Sequence, residues 1–133
     1  MKYRTFLPSA LLPMVLLMQP ATSHHSVFAE FDVMKSGTIE GVITEVWFKM
    51  PHVRYFVVVT DELGEEVTWN IHGHQPGILM RNGWFEDSVK VGDRVTVTGD
   101  PTRNGSPKLF IRSLSMADGI VLHNRDPKVD APR

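Results

Sequence analysis

Val53-Arg54-Tyr55-Phe56-Val57-Val58-Val59-Thr60, then Asp61-Glu62-Leu63-Gly64, then Glu65-Glu66-Val67-Thr68-Trp69-Asn70-Ile71-His72, is the stretch that decides the fold. The first eight residues are β-branched and aromatic, too crowded at χ1 for a good helix and well suited to a pleated surface. The next four carry turn chemistry, with Gly64 available for positive φ. The last eight alternate, with Val67, Trp69 and Ile71 set against Glu66, Thr68 and Asn70. Period two implies one buried and one wet face, so Trp69 and Ile71 are expected inward and Thr68, Asn70 and His72 outward. Two strands joined by a tight turn form a hairpin.

Upstream, residues 38–49 read T-I-E-G-V-I-T-E-V-W-F-K and predict a long first strand, with Gly41 at a bend or bulge. Met50-Pro51-His52 ends it, because proline lacks an amide donor and fixes its own φ. Downstream, residues 75–82 predict the one helix, with Pro76 near its start and Gly83 just past its end. Trp84 and Phe85 are expected to plug the barrel. Residues 94–99 and 108–116 predict strands four and five, and residues 120–122 a short sixth run. Three strands, a helix, then two strands is the connectivity of the OB barrel. The fold class expected is mainly β, a five- to six-stranded OB-like closed or partly open barrel with one short helix between strands three and four.

The chain divides into four parts. Residues 1–23 have Lys2 and Arg4, then an apolar run interrupted by prolines, then the small, polar Gln19-Pro20-Ala21-Thr22-Ser23. That order is a secretory signal peptide, and the run is too short and interrupted for a membrane span. Ala21-x-Ser23 places cleavage before His24; cleavage after Ala21 or Thr22 is the alternative. A periplasmic or secreted protein is expected, with no membrane segment after cleavage. Residues 24–36 form a leader that packs across a barrel mouth or adds an edge strand. Residues 37–123 form the barrel. Residues 124–133 form a frayed tail, and fraying is expected to begin at His123.

The chain carries 14 basic and 15 acidic residues, and loss of Lys2 and Arg4 leaves 12 basic residues and a formal charge of −3. Proteins held to nucleic acid by its phosphates carry the opposite excess, so no nucleic-acid partner is expected. The absence of cysteine excludes disulfides, thiolate metal sites and thiol catalysis.

Several segments run in order along nearly the whole mature chain: His24-His25-Ser26-x-Phe28-x-Glu30-Phe31-Asp32, Pro51-His52, Gly83-Trp84, Val91-Gly92-Asp93-x-Val95-x-Val97 and Ala117-Asp118-Gly119-x-x-Leu122. Together they resemble the domain-of-unknown-function family numbered 6152, small exported bacterial proteins. The resemblance implies a secreted OB-like β-barrel and no established activity. The chain departs from that pattern at Met50, His72 and His74.

Chemistry centres on six histidines: His24, His25, His52, His72, His74 and His123. Neutral imidazole suits copper and zinc. His72 and His74, two apart at a strand end, are expected on one face. If His24 is the first mature residue, it offers both its amine and its ring. The metal site expected is copper or zinc held by His24, His25, His52 and His74, with Met50 as a soft thioether beside His52. A copper redox enzyme using His24 as a brace is a third reading. Otherwise no catalytic constellation is present: G-x-S-x-G and H-E-x-x-H are absent, and Glu65-Glu66 and Glu86-Asp87 read as solvated turn charges. A small exported binding protein rather than an enzyme is therefore expected. The alternative function is a non-catalytic interaction module docking on another periplasmic protein or a glycan through Trp47, Tyr55, Trp69, Trp84 and Phe110, a set that barrel packing also explains. The sequence leaves the oligomeric state open.

Overall fold

The computed structural model describes residues 27–124. Residues 1–26, with the signal peptide expected there and His24 and His25, and residues 125–133 lie outside the described residues. The elements run α1 (Val27–Glu30), β1 (Gly37–Trp47), β2 (Arg54–Thr60), β3 (Glu66–His72), α2 (Pro76–Arg81), β4 (Arg94–Pro101), β5 (Lys108–Met116) and β6 (Val121–His123).

The eleven-residue β1 closes the barrel because it serves two partners. Its first half pairs antiparallel with β4, from Gly37↔Gly99 to Val42↔Arg94. Its second half pairs with β2, from Val42↔Val58 to Trp47↔Arg54. A bulge between Ile43 and Glu45 lies close to the crossover, and bulged strands bend and twist more strongly. The sequence assigned the bend to Gly41, but the bulge lies beyond it. Gly41 is glycine for another reason: a Cβ there would run into the carbonyl oxygen of Val58. At the hairpin tip Gly64 has φ +83°, as the turn required.

β2 and β3 pair in full register from Arg54↔His72 to Thr60↔Glu66. β4 and β5 pair antiparallel, and β3 meets β5 in parallel over Asn70–His72 and Lys108–Phe110. This parallel seam completes the OB barrel, and β6 extends the sheet beyond β5. β4 continues to Pro101, two residues past its expected end. Pro101 has no donor to offer the ladder, but its carbonyl accepts the amide of Asp32 at 2.8 Å.

Ile43, Val57, Ile71, Val97, Leu109 and Ile111 fill the interior. α2 lies between β3 and β4 and contributes one buried side chain, Leu79. Trp84 is the plug the sequence anticipated: it is fully buried, stacks on Tyr55 at 6.0 Å, and its indole N–H donates to the His123 carbonyl at 2.8 Å. Phe85 is not part of the plug; it is half exposed. Ile71 faces the core as expected, whereas Trp69 is only partly buried against it.

The leader corrects two expectations. It forms the short helix α1 and a single bridge, Phe31↔Thr102, rather than an edge strand. It also covers the outer side of the β3–β5 seam, so His72 is not on a wet face. Phe31 is buried there, edge-on to His72 and tilted against Phe110. Arg112 fastens the rest of the leader, donating to the Val33 and Lys35 carbonyls while it pairs with Asp100. The tail is corrected at its first residues too. His123 is in β6 and Asn124 is buried, donating to the Ile111 carbonyl at 2.8 Å and, through its backbone, to that of Arg112.

Candidate ligand cleft at the β1–β2 connection

Residues 48–53 join β1 to β2 and carry Met50-Pro51-His52. The base of this connection is fixed. Val53 is fully buried, its amide donates to the His74 carbonyl at 3.0 Å, and its carbonyl accepts the Gly73 amide at 2.9 Å. The connection after β3 is thereby tied to the connection after β1. Above this base, Met50, Pro51 and His52 are exposed and border a cleft of about 200 Å³ shared with Trp47, Lys49 and Arg54.

The strand register supplies the wall of the cleft. Trp47 and Arg54 are cross-strand partners, so their side chains share the outer face. Phe56, two residues along β2, points the same way and meets Trp47 edge-on at 5.1 Å. The Lys49 ammonium lies 4.9 Å from the Trp47 ring centre and the Arg54 guanidinium 5.8 Å, both within cation–π range. The Trp47 indole N–H donates to Glu45.

The aromatic set read from the sequence does not form one platform. Tyr55, Trp84 and Phe110 are buried, and Trp69 is on the core side. Trp47 stays outside, with Phe56, Lys49 and Arg54, none of which was singled out as a site residue. The period-two alternation of β2 was the available signal: Arg54 and Phe56 occupy outward positions between the buried Val53, Tyr55 and Val57.

The histidines fall in different settings. His52 is exposed at the cleft. His74 is partly buried, with its ring edge-on to Phe110 at 5.1 Å. Phe110 also carries Phe31, which contacts His72, so the strand-end pair does share one aromatic cluster. Burial under the leader pushes His72 down to about 4; the charges of Arg54, Lys108 and His52 act in the same direction and Glu30 opposes them. Its Nε2 is buried without a hydrogen-bond partner. Burial raises the Glu30 carboxyl, but the hydrogen bond and charge of Lys108, with His72 and Arg54, outweigh it and hold the group below its usual range. Burial also raises the Tyr55 phenol. Among the described residues, no three His, Asp or Glu side chains are grouped to hold a metal ion, and no helix is long and apolar enough to cross a membrane.

The strand order and the parallel seam define a small OB barrel with an aromatic and basic cleft beside its first connection. The chain belongs to a family of unknown function, DUF6152, which matches residues 13–109. No curated protein matches it. Two crystal structures of Rim1, a mitochondrial single-stranded DNA binding protein from S. cerevisiae, are similar to it. One has 16% identity and a TM-score of 0.49, covering 62% of this chain and 93% of that one. The other has 17% identity and a TM-score of 0.48, covering 62% and 92%.

Proposed function

We propose that this chain is an exported binding module without catalytic activity, and that its ligand seats in the cleft at the β1–β2 connection. One observation carries the reading: an outward Trp47 with two cations about its ring borders a cleft whose floor is pinned by the Val53–His74 and Gly73–Val53 hydrogen bonds. A fixed floor reduces the ordering cost of binding. The outward, half-buried Trp47 and Arg54 and the exposed Lys49 provide contact area that the barrel core does not use. The partner is another periplasmic protein or a glycan.

Amide chemical-shift mapping tests the seat. Neutral and acidic oligosaccharides are titrated into the isotopically labelled mature protein. Shifts concentrated in residues 47–56 support the reading; shifts concentrated elsewhere on the barrel refute it. Export is tested by intact mass of protein recovered from the periplasm. A start within two residues of His24 is expected, and the mass of the full 133-residue chain refutes it.

A second reading rests on its own observation: Met50 and His52 are both exposed at the same cleft, and the His74 carbonyl anchors the residue after His52. Imidazole with thioether suits copper, and imidazole alone suits zinc. In this reading His24, His25, His52 and His74 supply the ligands. Cupric titration of the native protein, His52→Ala and a variant with one extra N-terminal residue decides it. Equal affinity in all three eliminates a site shared between His24 and His52.

A further inference from the structure

The described part of the chain has nine lysines and arginines. Lys35, Arg94, Arg103, Lys108 and Arg112 each have a carboxylate within 4 Å. Among the described residues Lys49 and Arg54 have none, and both lie against one tryptophan at one cleft. Arg81 and Lys90 are the other two without a carboxylate partner among the described residues, and they stand apart on α2 and on the loop before β4. The cleft lining of Trp47, Lys49, Met50, Pro51, His52 and Arg54 contains no acid; the nearby Glu45 is engaged by the Trp47 indole. Glu30 feels the charge of Arg54 and Glu45 lies beside Trp47, but among the described residues neither forms an ion pair with Lys49 or Arg54, so in a protein with more acidic than basic residues the cleft keeps two cations at its lining without a direct carboxylate contact.

Resting on the reading above, we infer that the β1–β2 cleft binds an acidic saccharide, with the carboxylate of a uronate residue on Arg54 and Lys49 and the sugar ring against Trp47. A guanidinium can hold a carboxylate through two parallel hydrogen bonds, and an ammonium adds a point charge. The cleft's 200 Å³ corresponds to roughly seven water volumes, enough for one ring. A nucleic-acid strand fits the surface less well, because it needs a basic track along its backbone. Beyond the cleft, most described cations are already neutralised by carboxylates.

The experiment titrates the mature protein with oligogalacturonate, a neutral galactose oligomer, inorganic phosphate and oligothymidylate, with calorimetry for affinity and amide shifts for location. Oligogalacturonate is expected to bind at residues 47–56, to weaken with added salt, and to lose about tenfold in affinity in Lys49→Gln and at least as much in Arg54→Gln. Lys49 is exposed, so its variant keeps the fold, and circular dichroism verifies Arg54→Gln. Equal binding of the neutral oligomer at the same residues overturns the anionic inference and leaves the binding-module reading standing. Equal binding of phosphate overturns the saccharide part, and tighter oligothymidylate assigns the cleft to nucleic acid instead. Oligogalacturonate shifts outside residues 47–56 overturn both readings, and no binding at millimolar ligand overturns the inference.

Discussion

The ring of Phe31 meets the imidazole of His72 edge-on, with centroids 5.4 Å apart and planes inclined by 62°. A residue of the leader thus closes over a titratable group on the third strand, joining the stability of the leader to the charge state of that group.

Stability is expected to fall with pH between about 6.5 and about 4. The folded protein holds His72 near 4, and an unfolded chain titrates histidine near 6.5. Between those values the unfolded state binds the extra proton, so acid favours unfolding. His72 therefore contributes its full stabilisation above about pH 6.5, and the contribution is lost as pH falls through 4. Urea melts of the native protein and His72→Gln across this window measure it. An unchanged pH dependence in the variant refutes it.

Trp84→Ala is expected to cost about 3–5 kcal/mol, because the ring is fully buried and its loss leaves a cavity and removes the donor to the His123 carbonyl. Trp69→Ala is expected to cost less, roughly 1–2 kcal/mol, because only part of that ring is taken from water. Denaturant midpoints compare the two, and equal losses contradict the facing of the strands.

Gly41→Ala and Gly77→Ala are expected to act in opposite directions. The first drives a Cβ into the Val58 carbonyl and separates β1 from β2. The second meets nothing within 4 Å, sits inside α2, and gains roughly 0.5–1 kcal/mol of helix propensity. Thermal melts distinguish them, and a neutral Gly41→Ala denies the close approach.

Arg112→Met is expected to cost on the order of 3 kcal/mol, since it leaves the nearly buried Asp100 carboxylate without its cation and frees the Val33 and Lys35 carbonyls. The double variant with Asp100→Asn is expected to lose less than the sum of the single variants. Strict additivity by urea denaturation counts against the pairing.

Local pattern alone determined the order of three strands, a short helix and two further strands, because β-branched runs, proline stops and glycine turns act within a few residues. The alternation around Ile71 and the proline and glycine flanking α2 needed no distant partner. Other features depended on contacts far apart in the chain. Phe31 lies about forty residues from His72, yet its position turned an outward histidine into a half-buried one with its Nε2 out of reach of solvent. Asn124 is held by Ile111 rather than by its neighbours. The cleft was half legible: Trp47 and His52 drew attention as residue types, whereas Lys49 and Arg54 looked like ordinary surface charges. Only the pairing of Trp47 with Arg54 across two strands, and of five other cations with carboxylates elsewhere, separated them from the rest. Such distinctions depend on which groups meet in space, and tertiary packing decides that.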